Sequence, residues 1–250
     1  MSDNLSKNVL ITGAVQGIGR NIALKFASKG YGVIINYRNP DKTAEAQKLT
    51  EECSKISGVD CISLRADISE SQNCCWLTNE AVKQMGNIDV LVNNAGIMKY
   101  SLFQRLKDED YHAIIASNQD SVFYMMKYVS KYMLKRKSGS IVNIASVSGI
   151  YGSPTLAAYA ASKAAVIAMT KSAAAEFAYK NVRVNAVAPG MVHTPMTDSF
   201  TQEDKQNMCS NIPIGRFAEP EEIADAVYWL ASDEAAYITG HILEISGGLK

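Results

Sequence analysis

The sequence has few of the residues from which metal centres and disulfide frameworks are built. Its 250 residues include only 5 cysteines and 3 histidines. Cys53, Cys61, Cys74, Cys75 and Cys209 are odd in number and form no C-x-x-C pair. Neither a disulfide scaffold nor a zinc site is indicated, and reduced thiols in a cytoplasmic protein are expected. His112, His193 and His241 stand far apart without ligand-like neighbours, so no metal is expected. Net charge is missing too: 25 Lys+Arg balance 25 Asp+Glu, which argues against a nucleic-acid partner but not against a local basic patch. No apolar run reaches the roughly 18 residues that cross a bilayer, so no membrane partner is expected. The opening residues lack the cationic-then-apolar order of a secretory signal. Linkers, internal repeats and low-complexity tracts are absent as well, so the chain reads as one domain over residues 1–250.

What is present is an alternation. Short β-branched runs stand at Val9–Ile11, Val33–Ile35, Cys61–Leu64, Val90–Val92, Ile141–Ile144, Val182–Val184 and Ile242–Ile245. Between them lie stretches of helical period near 17–29, 41–57, 70–85, 108–136, 157–179 and 219–231. Strands that are apolar throughout are buried on both faces, so the pattern predicts an α/β, doubly wound Rossmann-type fold with a seven-stranded parallel sheet. Residues 190–216 break the rhythm with Gly190, Pro195, Pro213 and Gly215 among polar residues and one short helical candidate at Thr201–Met208. A segment of this kind near strand ends is expected to be a lid over a site.

Thr12-Gly13-Ala14-Val15-Gln16-Gly17-Ile18-Gly19 follows the first strand and opens the first helix. Its glycines permit a tight turn and close backbone approach, while the helix N-terminus offers free N–H groups to a pyrophosphate. Further along come Asn93-Asn94-Ala95-Gly96, Ser146, Tyr159-x-x-x-Lys163 and Pro189-Gly190, each at or after a strand end. In this order the motifs resemble those of the short-chain dehydrogenase/reductase family, over essentially the whole chain.

Chemistry alone gives several of these residues a purpose. Tyr159 and Lys163 lie one helical turn apart on a shared face, and an ammonium beside a phenol stabilises the phenolate that proton transfer leaves. A hydroxyl at Ser146 can polarise a substrate carbonyl. The resemblance then implies Tyr159 as general acid/base, Ser146 as carbonyl stabiliser, Lys163 as ribose binder and pKa modulator, and Asn118 as support for a proton relay to Lys163. It implies that Thr12, Gly13, Gln16, Gly17, Ile18, Gly19, Ala95 and Gly96 cradle the cofactor and that Asp67 and Ile68 flank the adenine. It further puts Asn93 by the adenine ribose, and Pro189, Gly190, the Val192 backbone and Thr194 at the nicotinamide. Asp67 has an equally good local reading as an ordinary turn or cap residue.

The second strand ends Asn36-Tyr37-Arg38 with no carboxylate to accept the ribose hydroxyls. Arg38 can hold a 2′-phosphate through its planar fork, so NADP is expected, with NAD as the alternative. Within the family the chain is most similar to 3-oxoacyl-[acyl-carrier-protein] reductases, notably in Pro189–Met196, Ile212–Phe217 and Ser246–Gly248. The resemblance implies a 3-oxoacyl thioester substrate, an acyl carrier protein docked on Lys137 and Lys180 beside the site entrance, and a homotetramer. The pocket departs from that pattern: Leu156 stands where those reductases carry glutamine, and Ile97-Met98-Lys99-Tyr100 follows the asparagine motif. A hydroxysteroid or other secondary-alcohol dehydrogenase and a non-catalytic nucleotide sensor are the alternatives at this point.

Overall fold

The apolar runs pair side by side and in parallel. The computed structural model describes residues 6–198 and 200–249. Its strands are β1 (Asn8–Ile11), β2 (Gly32–Tyr37), β3 (Ile62–Arg65), β4 (Val90–Asn93), β5 (Gly139–Ile144), β6 (Val182–Pro189) and β7 (Ile242–Ile245). They form one sheet in the order β3-β2-β1-β4-β5-β6-β7, every pair parallel. Parallel pairing obliges each connection to cross back over the sheet, and helices do so on both faces. Strand order reverses between β1 and β4, which opens a crevice at the carboxyl ends of the strands.

The helices are α1 (Gly17–Ala27), α2 (Thr43–Ser57), α3 (Ser71–Met85), α4 (Asp108–Ile115), α5 (Ser121–Arg136), α6 (Ser148–Tyr151), α7 (Ala157–Phe177), α8 (Gln202–Ser210) and α9 (Pro220–Ala231). Strand alternation sorts the core into two halves. Val9, Ile11 and Ile35 pack with Phe26, Leu49 and Leu230 of α1, α2 and α9. Leu10, Ile34 and Leu91 pack with Leu77, Met125 and Val166 of α3, α5 and α7 on the opposite face.

Two elements differ from the sequence expectation, and each difference matters for the site. The single helix expected over 108–136 is interrupted by a π-helical turn at Ala116–Asp120, where Ser121 N–H reaches back to the Ala116 carbonyl. A π turn widens the helix locally and is found mostly where function needs a displaced residue; here the residue is Asn118. Strand β6 runs on to Pro189 rather than ending at Val184, because Asn185, which breaks the apolar run, is satisfied inside. Its Nδ2 donates to the Ile238 carbonyl at 2.9 Å, and its Oδ1 accepts from His241 N–H at 3.0 Å. The short helix expected at 201–208 lies at Gln202–Ser210. Among the described residues no helix is long and apolar enough to cross a membrane.

Away from the crevice, Arg183 closes the carboxyl end of α9. Its guanidinium donates to the carbonyls of Leu230, Ala231, Ser232 and Ile238 at 2.7–3.2 Å. Arg183→Met is expected to cost about 2–4 kcal/mol, since it strands several part-buried carbonyls at once. Urea denaturation measures this, and an unchanged midpoint would show that the carbonyls find water instead.

Candidate active site

The crevice is a cleft of about 490 Å³ running along the carboxyl ends of β1, β2, β4, β5 and β6. Its floor is built by close backbone approach. Gly13 and Gly17 hold left-handed φ values of 62° and 55°. A Cβ on Gly19 would come within 2.6 Å of the Gly13 carbonyl oxygen, so only glycine lets α1 start this near the strand. Thr12 Oγ1 accepts from the N–H groups of Asn94 and Ala95 at 3.0 and 3.1 Å. Asn94 Nδ2 answers by donating to the carbonyls of Thr12 and Gly13 at 2.9 and 3.0 Å. The first turn and the loop after β4 are thereby clamped together. The N-terminus of α1 carries no side-chain cap and no acid in its first turn, which leaves its positive end and free N–H groups for an anion.

At the β2–β3 end, exposed Arg38 lines the cleft together with Asp67, Ile68 and Ser69. Asp67 Oδ1 accepts from the backbone N–H and hydroxyl of Ser69 at 3.1 and 2.7 Å, an Asx turn that shapes the wall. Lys42 also lines this end, bonded to Glu45 at 2.8 Å. The sequence reading missed Lys42; its place four residues after Arg38 in the same loop was the available signal. Asn93, expected by the adenine ribose, is not among the residues that line the cleft. Its side chain is buried and donates to Oδ1 of Asn143, its registered partner on β5, at 2.8 Å. Asn94, Ala95 and Gly96 line the cleft in its place.

Ser146, Tyr159 and Lys163 meet at the other end. Ser146 follows β5 and its Oγ accepts from Ser148 N–H at 3.1 Å. Lys163 is 3% exposed; its ammonium donates to the Ile144 carbonyl at 2.7 Å and lies 5.8 Å from the Tyr159 ring centre. Asn118 does not line the cleft. Its Oδ1 accepts from Ile97 N–H at 2.8 Å while its Nδ2 donates to the Ile97 carbonyl and Ser162 Oγ at 2.9 and 3.1 Å. A Cβ on Gly96 would sit 3.2 Å from Asn118 Oδ1 and 3.5 Å from Lys163 Nζ, so both groups lie beside Gly96.

Pro189, Gly190, Val192 and Thr194 line the cleft where β6 leads into the lid. The lid is pinned at both ends. Val192 bridges Ala218, the far end buries Ile212 and Phe217, and Ile214 N–H donates to the Gly247 carbonyl at 3.1 Å. Lys137 and Lys180 are not beside this entrance. Lys137 stands two residues before the start of β5 and Lys180 two residues before that of β6, and Gly139 is registered with Val182. Both therefore lie at the amino ends of the strands, a sheet's length of roughly 20 Å from the cleft, since successive strands here all start at that side.

A family model described as enoyl-(acyl carrier protein) reductase matches residues 13–250. The chain is 42% identical over 245 residues to the 3-oxoacyl-[acyl-carrier-protein] reductase FabG of Staphylococcus aureus, covering 98% of each. It is 45% identical over 247 residues to the protein of the same name from Thermotoga maritima, covering 97% of each. The Haemophilus influenzae protein is 41% identical over 243 residues. The chain belongs to the short-chain dehydrogenase/reductase family. It is an oxidoreductase of that family, a class that works with a nicotinamide cofactor.

The cleft fits such a group on its own features: an uncapped helix N-terminus, a floor that tolerates no Cβ, and cationic side chains at one end. Electrostatics distinguish the other end. Burial raises the pKa of the Tyr159 phenol, and hydrogen bonding to the Ser146 hydroxyl opposes this. Burial also lowers the Lys163 ammonium from 10.5 to about 8. Between these two values the unfolded chain binds more protons than the folded one. Stability of the cofactor-free protein is therefore expected to rise with pH from about 8 towards 10.5, relative to Lys163→Met, by at most about 3 kcal/mol. Denaturation of both proteins across that window measures the difference; parallel stability curves would refute the burial cost.

Proposed function

We propose that this enzyme reduces the ketone of a 3-oxoacyl thioester to an alcohol with NADPH. The observation that carries the reading is the convergence of Ser146, Tyr159 and Lys163 at one end of a cleft whose other end presents Arg38 and Lys42. When bound, the nicotinamide supplies the hydride. The chain's own residues handle position and protons. Thr12, Gly13, Gln16, Gly17, Ile18 and Gly19 hold the pyrophosphate at the head of α1, and Arg38 with Lys42 holds the 2′-phosphate. Asp67 and Ile68 flank the adenine, and Ala95 and Gly96 present backbone to the ribose. Pro189, Gly190, Val192 and Thr194 hold the carboxamide end.

Ser146 donates to the carbonyl oxygen and orients it, and the Tyr159 phenol gives up its proton as negative charge grows on that oxygen. A protonated phenol is the correct state for this direction, and burial extends the pH range over which Tyr159 holds it. Lys163 steadies the phenolate left behind and holds the ribose. Asn118 ties the loop at Ile97 to α7 and lies with Lys163 beside Gly96, a suitable place for a water that returns the proton.

The acyl thioester is supported by the names of the three relatives, which act on acyl carrier protein substrates. The same support makes an acyl carrier protein the partner, although Lys137 and Lys180 of the same chain do not reach the entrance. A cytoplasmic homotetramer is part of the reading, in keeping with large apolar side chains left exposed at Phe103, Phe123 and Tyr179. Sedimentation is expected to give about four times the 27.2 kDa chain mass.

Tyr159→Phe is expected to lower ketone-dependent NADPH oxidation by roughly 10²–10⁴-fold while NADPH still binds. A nucleotide sensor would show no turnover with any ketone in the unaltered protein either. Arg38→Asp is expected to raise KM for NADPH by about 10–100-fold and leave NADH little affected. Equal effects on both nucleotides would contradict the phosphate assignment.

A further inference from the structure

Beside Tyr159 the cleft has an apolar flank that neither proton transfer nor nucleotide binding uses. Met98 and Tyr100 come from the loop after β4, Leu156 from the loop before α7, and Met191 and Met196 from the lid. Leu156 is buried at 8% exposure, whereas Tyr100 and Met196 form the rim at 46% and 43%. The Tyr100 ring meets Phe200 edge-on with centres 6.0 Å apart, joining the loop to the lid.

The polar groups near this flank are already engaged with one another. Ser101 N–H donates to the Thr155 carbonyl at 2.8 Å, Lys99 pairs with Asp110 at 2.6 Å, and the hydroxyls of Ser148 and Ser153 share a bond of 2.9 Å. The side chains of Met98, Leu156, Met191 and Met196 bring hydrocarbon and thioether to the cleft, and Tyr100 brings a phenol ring at the rim. Thr155 adds an independent sign. Its φ of 66° is a strained value for a β-branched residue. The strain sits at the residue that both fastens Ser101 and turns Leu156 towards the cleft. A charged Tyr100 would oppose ionisation of Tyr159, which sets this wall next to the reacting phenol.

We propose that this flank takes the hydrocarbon substituent of the ketone, with Tyr100 and Leu156 as its specificity-determining residues, so that ketones with an extended alkyl chain are selected over those with a methyl group. The proposal rests on the ketone-reductase reading above and specifies which ketones. Each methylene buried along the wall is expected to raise kcat/KM about three- to fourfold until the chain passes the rim.

The test is kcat/KM with NADPH for two series: N-acetylcysteamine thioesters from 3-oxobutanoyl through 3-oxooctanoyl, and simple 2-alkanones of matching chain length. Both are run on the unaltered enzyme, Leu156→Gln and Tyr100→Ala. A rising series in the unaltered enzyme, with the long-to-short ratio reduced at least tenfold in the variants, supports the proposal. Tyr100 is at the exposed rim, so its variant keeps the test available should the buried Leu156→Gln fail to fold. A flat series in the unaltered enzyme, or a slope unchanged by Tyr100→Ala, overturns it. Alkanones turned over with the slope and thioesters refused would leave this inference standing and remove the thioester reading. No turnover in either series would remove both.

Discussion

An ammonium group buried against a strand carbonyl is the constraint on which the rest of the site depends. Lys163 has given up nearly all its water and receives one backbone carbonyl, that of Ile144, in exchange. A buried charge with so thin a set of partners is costly, and burial alone brings its pKa to about 8. Such a cost persists only where surrounding structure enforces it. The enforcement comes from α7 packed on β6 and hydrogen-bonded to β5, with the Asn143 amide donating to Thr170 two helical turns beyond Lys163 at 2.9 Å. The same packing presents Tyr159 one turn earlier on the same face, beside Ser146 at the end of β5.

The parallel sheet turns this local arrangement into a functional cleft. Because every strand points the same way, the glycine turn after β1, Arg38 after β2, the asparagine loop after β4 and Ser146 after β5 all emerge on one side. Residues separated by more than a hundred positions then form a continuous wall with two electrostatic ends. One is cationic and open to water, suited to phosphate. The other is buried, which extends the pH range over which a phenol stays protonated and makes a lysine ready to release its proton. The π turn in the helix between α4 and α5 serves that second end by bringing Asn118 against Ile97 and Ser162.

The strands and the cofactor turn were legible because their causes are local. Sheets buried on both faces require continuous apolar runs, and a helix starting hard against a strand requires glycine at position 19. Tyr159 and Lys163 were legible through their spacing. The π turn was not, since the apolar period runs through residues 108–136 without a break and the widening comes from contacts made by Asn118 far away in sequence. The side-chain direction of Asn93 was likewise set by the pleat and by Asn143 across the sheet. The side of the sheet on which Lys137 and Lys180 lie is legible in the strand pattern itself. Each stands two residues before a strand, and in a parallel sheet a residue before a strand lies on the side opposite one that follows it.

Burial pushes the Tyr159 phenol above its ordinary pKa in the cofactor-free enzyme, so it stands protonated and ready to act as an acid. A carbon-13 NMR titration of the Tyr159 ring carbon bearing oxygen reads this state directly. The resonance is expected to stay at its protonated position through the ordinary tyrosine midpoint of 10. A midpoint below that value would contradict it and make Tyr159 a phenolate poised for the reverse reaction.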